Sequence, residues 1–236
     1  GIEGVTVIKK YLPYVERSRE VLISCSTKIL VEGMKELNQT GVATALQVFF
    51  SLKILKTKLN EVNTILSNNI AEHLNSIDST FKKQNHLQQD PTNTNNTVKR
   101  EDNDVVEWLS LLYGVLTGPV LSAAQQAWHL YGVLKRIRDP QTQGLVEDDL
   151  RLQAAEKNER YYSPARMFWN VFTQHLKRLM EASIVGSPSW RPKFAVFYPN
   201  MLKMLGLFLE QMMSRPTIST CVNSDEPFQV KKDLLL

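Results

Sequence analysis

The four histidines, His73, His86, His129 and His175, are the residues best suited to bind a metal or move a proton near neutral pH. Each is followed by leucine, so none opens the His-Glu-x-x-His spacing that sets two imidazoles on one helical face. None has a glutamate three residues before it, which removes the Glu-x-x-His pairs of a di-iron bundle. His175 lies beside an apolar face of Phe168, Phe172 and Leu179 and reads as a boundary residue. Glu147, Asp148 and Asp149 are the densest carboxylate cluster, and three acids at a helix start are expected to complement its dipole from solvent. Gly-rich phosphate loops, dinucleotide turns and nucleophile elbows are absent. The chain is therefore expected to be no enzyme and to need no cofactor or metal.

The two cysteines, Cys25 and Cys221, are far apart, and no run before Cys25 resembles a cleavable leader, which points to a reducing, cytosolic compartment. Cys25 between serines reads as an inert small residue. The sequons at Asn38 and Asn95 would matter only in a secreted protein. A net charge of +4 over 236 residues is modest, and the lysines and arginines are spread out, which argues against nucleic acid as a partner. The uncharged stretch from Trp108 to Leu134 is long enough to cross a bilayer. Gln125, Gln126 and His129 are costly in hydrocarbon and Gly118-Pro119 interrupts its middle, so it reads as a helix buried by other helices, with no transmembrane span.

The elements that would carry these residues are helices. Val42, Leu46, Phe49, Leu52, Leu55, Leu59, Val62, Leu66, Ile70, Leu74, Ile77 and Phe81 follow one another by three or four residues. With no proline and no internal glycine, Thr40 to Lys83 reads as one helix of roughly 60 Å. Before it, Val5 to Leu37 reads as a helix that presents Val15, Leu22, Ile29 and Leu37 to a partner, with Thr40 as N-cap of the next helix. A third helical region, Asp104 to Arg138, is bent at Gly118-Pro119 and stopped by Asp139-Pro140. A short helix around Val146 to Arg160 follows, then one capped by Ser163-Pro164, and a last helix from Lys193 to Ser214.

The fold class is all-α, an elongated helical bundle or rod with long antiparallel helices and one long polar loop. Four regions are expected: a helical hairpin over 1–83, a disordered linker over 84–103, a helical-rod domain over 104–214 and a flexible tail over 215–236. The linker is expected because Gln84 to Asn103 has almost no apolar side chain to offset the entropy of ordering. The initial glycine opening into a helical pattern implies part of a longer polypeptide.

Two sets of residues could form interaction surfaces. Lys135, Arg136 and Arg138 could meet an acidic partner or anionic lipid, or simply complement a helix C-terminus. Met204 and Phe208, with Met201, Leu205, Met212 and Met213, could form an adaptable groove for a partner helix or belong to the core. The groove would suit a cytosolic helical adaptor, the alternative function.

The runs GVATALQVFFSLKILKTKLNEV, AWHLYGVLKRIRDP and FWNVFTQHLKRL resemble, in this order, the middle of subunit five of the conserved oligomeric Golgi complex, a helical-rod vesicle-tethering family. The resemblance covers about Gly1 to Met213 and includes a variable polar insert at Gln84 to Asn103. It implies a structural subunit, peripheral on the cytosolic face of Golgi membranes, acting in retrograde intra-Golgi transport and in keeping glycosylation enzymes in place. The implied partners are the other subunits of that complex, subunit seven above all and also six and eight, with membrane-fusion proteins as indirect contacts.

Overall fold

A computed structural model of the chain describes residues 6–87, 97–185 and 190–222. Among these residues there is no strand, and one isolated bridge joins Arg138 to Leu145. The fold is all-α. In chain order the helices are α1 (Thr6–Lys35), α2 (Gln39–Ser51), α3 (Leu55–Leu87), α4 (Thr97–Val115), α5 (Leu121–Leu134), α6 (Val146–Glu156), α7 (Pro164–Val185), α8 (Trp190–Met213) and α9 (Pro216–Val222). The chain forms two compact units, Gly1–Glu61 with His129–Tyr161, and Val62–Trp128 with Tyr162–Leu236.

In the first unit α1 and α2 form a tight hairpin. A Cβ added to Gly33 would lie 3.1 Å from both Cγ2 and the backbone nitrogen of Val42, so the absence of a side chain sets how closely the helices approach. Leu30 and Met34 of α1 and Val42, Ala45, Leu46 and Phe49 of α2 are buried. The turn between them is capped from both sides. Leu37 takes a left-handed conformation (φ 55°), and Asn38 N–H donates to the Gly33 carbonyl at 2.7 Å, closing α1 with a Schellman motif. Asn38, not Thr40, then caps α2: its Oδ1 accepts from Gly41 N–H at 3.1 Å.

The single helix expected over Thr40 to Lys83 is two helices. Lys53 adopts φ 58°, its N–H donates to the Phe50 carbonyl, and Ile54 N–H reaches back to Phe49 at 3.0 Å. This is a second Schellman motif, built on lysine where glycine is usual. A third, with Asn158 at φ 53°, ends α6. Of the apolar stripe, Val42, Leu46, Phe49, Leu55, Leu59, Val62, Leu66, Ile70, Leu74 and Ile77 are buried, Leu52 is half-buried, and the side chain of Phe81 lies outside the described set. A three-residue break can change direction and still bring the stripe back onto a core.

The second unit is organised by aromatic rings on α4, α5, α7 and α8. Trp128 meets Phe168 edge-on at 5.8 Å, Trp108 meets Phe194 at 6.0 Å, and Phe172 meets Phe208 at 5.8 Å. Each such pair adds about 0.5–1.5 kcal/mol beyond its area burial. α7 begins as read from sequence, with Ser163 Oγ accepting from Arg166 N–H at 3.2 Å ahead of Pro164.

Pro119 does not end the helical path through Trp108 to Leu134. A π-helical turn, Leu116–Val120, absorbs the proline between α4 and α5. By length and composition Val105–Leu134 could cross a membrane, but Trp108, Leu112, Leu116, Val120 and Ala124 are at 0% exposure inside the protein.

Three boundaries differ from expectation. Helix occupies part of the polar stretch: α3 runs to Leu87 and α4 starts at Thr97, and 88–96 lie outside the described residues. Once a buried turn exists, adding one more helical residue is cheap, so α4 extends ahead of Val105 and Trp108 despite the charges at 99–102. The tail expected from 215 contains α9, begun by Pro216 at a position where the missing N–H is harmless and anchored by the buried Ile218. Residues 186–189, part of the turn expected before the last helix, and 223–236 are outside the described set.

Candidate functional site

Of the residues that could do chemistry, His129 and Glu147 are held as structure, while His73, Asp148 and Cys25 are exposed. His129 is buried in the third turn of α5, hydrogen-bonded to the backbone of Asn38, with its Nε2 unpartnered. Burial pulls its pKa below the ordinary histidine value, the Asn38 bond opposes the shift, and the Arg136 charge adds to it. Glu147 is not solvated as expected. It is buried, its Oε1 accepting from Arg151 Nη2 at 3.0 Å one helical turn on. Arg151 in turn lies over the Tyr161 ring at 5.4 Å, and burial first, then the Glu147 charge, pushes the Tyr161 phenol up. Asp148 is exposed and Asp149 half-buried. Cys25 is an exposed free thiol. Among the described residues no three His, Cys, Asp or Glu side chains come close enough to hold a metal ion.

The proposed basic set lies in the first unit, after α5. Lys135 is half-buried with its ammonium 5.4 Å from the Tyr131 ring centre, a cation–π arrangement, and Arg136 is exposed. Arg138 Nη1 donates to the Gln143 carbonyl at 2.9 Å, while its own carbonyl accepts from Gln47 Nε2 at 3.2 Å. Asp139 closes the same turn through Gln141 N–H and the Thr142 hydroxyl, bonds that hold its carboxyl below the usual range. Arg138 is therefore a turn-forming residue.

The proposed methionine set lies in the second unit. Phe208 is at 0% exposure against Phe172, and Met201 and Met212 are buried as well. Phe208 is thus core and offers no open surface; Met204 is half-buried. Exposed on α8 are apolar residues that sequence reading passed over, among them Val196, Tyr198 and Leu207.

Two further features of the first unit are open. A cleft of about 610 Å³ is lined by Phe50, Leu55, Leu150 and Pro140 with Lys53, Lys56 and Asp149. Lys56 already pairs with Glu159. The other feature is α1, in which every residue from Lys10 to Leu22 is exposed. Val15, Leu22 and Ile29, expected to face a partner, are at 61%, 45% and 41% exposure. The sequence marked this stripe; the partner that covers the inner turns, α2, ends before reaching it.

The open features of the first unit are thus a cleft and a helix surface. Comparison with known proteins gives a consistent relationship. The chain is similar to subunit 5 of the conserved oligomeric Golgi complex of Arabidopsis thaliana, 26% identical over 225 residues, 91% of this chain and 26% of that protein. It is similar to the mouse subunit 5, 24% identical over 207 residues, 86% of this chain and 24% of that one. The Dictyostelium discoideum subunit 5 matches over 76 residues at 25% identity, 32% of this chain and 8% of its own. The chain spans about a quarter of the length of the two relatives it matches most fully. No solved structure matches it. The family described as conserved oligomeric Golgi complex subunit 5, C-terminal, matches residues 2–209, and the chain belongs to this family.

Proposed function

We propose that this chain is a non-catalytic, helical part of a Golgi vesicle tether, acting in retrograde intra-Golgi transport and so in retaining glycosylation enzymes in their cisternae. The observation that carries the reading is the family match over residues 2–209, which takes in the helices from α1 into α8. The buried setting of His129 and Glu147 and the self-contained turn at Asp139 agree with a scaffold, since their polar groups are spent on the fold. The work of such a protein is spatial: helices hold binding surfaces at fixed separations.

In this reading the protein lies peripherally on the cytosolic face of Golgi membranes. Its partners are the other subunits of the complex, especially subunit seven and also six and eight, with membrane-fusion proteins contacted indirectly. A tagged full-length subunit carrying this segment should recover the other tether subunits from Golgi extract and restore surface glycosylation in cells lacking subunit five. Recovery of no other subunit, or full rescue by a subunit from which residues 2–209 have been deleted, sinks the proposal. The adaptor reading through Met204 and Phe208 has no observation in its favour, because Phe208 is buried.

A further inference from the structure

We propose that the exposed stripe of α1, Tyr11 to Ile29, docks one amphipathic helix of a partner protein, whose apolar residues repeat at heptad spacing and whose flanks are acidic. The inference concerns a surface of this chain and does not depend on the Golgi reading.

The face has a coiled-coil layout. Tyr11, Ser18 and Cys25 recur at seven residues and define a centre line. Tyr14 and Val21 run along one side of it, and Val15, Leu22 and Ile29 along the other. All of these side chains are exposed, the apolar ones by 41% to 69%. A solvated helix normally turns charge outward, so a sustained apolar stripe of three heptads marks an interface. At 1.5 Å per residue, Tyr11 to Ile29 offers roughly 30 Å of contact, the length of a twenty-residue helix. The stripe stops at Glu32, which takes the next seventh-residue position.

The relief of the face favours a helix over a bilayer. Ser18 and Cys25 are small, so the centre line is dented between taller neighbours, and such dents receive the knobs of a facing helix. A helix lying in a bilayer surface would carry its largest apolar groups there. Ser18 Oγ already donates to the Tyr14 carbonyl at 2.8 Å, so covering it leaves no hydroxyl donor stranded.

Charge selects the partner. Taking 3.6 residues per turn, Lys10, Arg17, Arg19 and Lys28 fall within about 100° of the centre line, whereas Glu16 and Glu20 fall about 160° away. The cations rim the stripe on both sides and the acids lie behind it. No ion pair engages these four cations among the described residues. A facing helix with Asp or Glu on its flanks completes the pairs, and one with Lys or Arg there is repelled.

The test uses the whole chain and two fluorescent peptides of about four heptads with identical leucine seams, one flanked by Glu and the other by Lys. Fluorescence anisotropy should show the Glu-flanked peptide binding at least tenfold more tightly than the Lys-flanked one, and weakening as salt rises from about 0.05 M to about 0.5 M. Ser18→Arg fills the dent and Leu22→Glu charges the stripe; each should weaken binding at least tenfold with the melting temperature unchanged. Equal affinity for the two peptides, or binding of neither, overturns the proposal. So does sedimentation of the chain with phosphatidylcholine vesicles holding roughly 30% phosphatidylserine, lost on Leu22→Glu, in the absence of a preference between peptides.

Discussion

The inner and outer halves of α1 have similar apolar content and opposite surroundings. From Ser26 to Met34 the helix lies against α2, with Leu30 at 1% and Met34 at 3% exposure and Gly33 in near-contact with Val42. From Lys10 to Leu22 every residue is exposed, although Tyr11, Leu12, Tyr14, Val15, Val21 and Leu22 lie there. Pro13 stands in the outer half, where it removes a helical hydrogen bond. A proline that would cost about 3 kcal/mol in a packed helix is tolerable where little of the fold depends on the turns around it. Helical periodicity thus marks where burial can occur, and the reach of the neighbouring helix decides where it does.

The sharpest way to break this comparison is to truncate the inner half. Leu30→Ala removes a fully buried side chain at the α1–α2 contact and should lower unfolding stability by about 2–5 kcal/mol, read from urea titration. A loss below about 0.5 kcal/mol would mean that the inner half packs no better than the outer.

A smaller loss should come from acid. His129 sits under the α1–α2 corner through its bond to Asn38, and burial, aided by the Arg136 charge, lowers its pKa below 6.5 in the folded state. The unfolded chain therefore takes up this proton at higher pH than the folded one. The stabilisation is complete above pH 6.5 and is lost as pH falls from there toward the folded-state value. The melting temperature should fall across that window, and His129→Gln should flatten the fall. A wild-type melting temperature that is constant from pH 7 down to about 5 would contradict a depressed pKa.

Asn38→Ala tests the corner that joins the inner half to α2. It removes the acceptor for Gly41 N–H while keeping the backbone that bonds His129, and should cost about 1 kcal/mol. Thr40→Ala should be within about 0.5 kcal/mol of wild type, since Asn38 caps the helix. The reverse ranking would restore the cap that sequence alone favoured.

How much was legible follows from the same corner. Stripe residues from Val42 to Ile77 were readable because apolar spacing reports burial directly. Ser163-Pro164 was readable because its cap uses the residue types the geometry prefers. The break at Lys53 was not, since Leu37, Lys53 and Asn158 take left-handed cap positions where glycine would have announced the turn. A non-glycine residue there costs roughly 1–2 kcal/mol, so tertiary packing fixes these ends against local preference. Burial of Glu147 was equally invisible, because a charged residue in a first helical turn reads the same whether covered or not, whereas Phe208 takes the core alternative that the sequence left open. Of the candidate surfaces, sequence named the basic and methionine sets and not α1, where it expected Val15, Leu22 and Ile29 to meet a partner and could not say that they stay exposed.

Leu22→Ala asks the least of the fold and the most of the comparison. Leu22 differs from Leu30 by eight residues on one helix, yet it is 45% exposed and meets no buried cluster. Truncating it removes apolar surface that is already in water, so unfolding stability should stay within about 0.5 kcal/mol of wild type. Alanine also has the higher helix propensity, which offsets what little contact is lost. A loss near that of Leu30→Ala would place the outer half inside the cooperative core and remove the reason to look for a partner. A null effect leaves Leu22 with no structural work inside this chain, which is the condition its role in docking a partner helix requires.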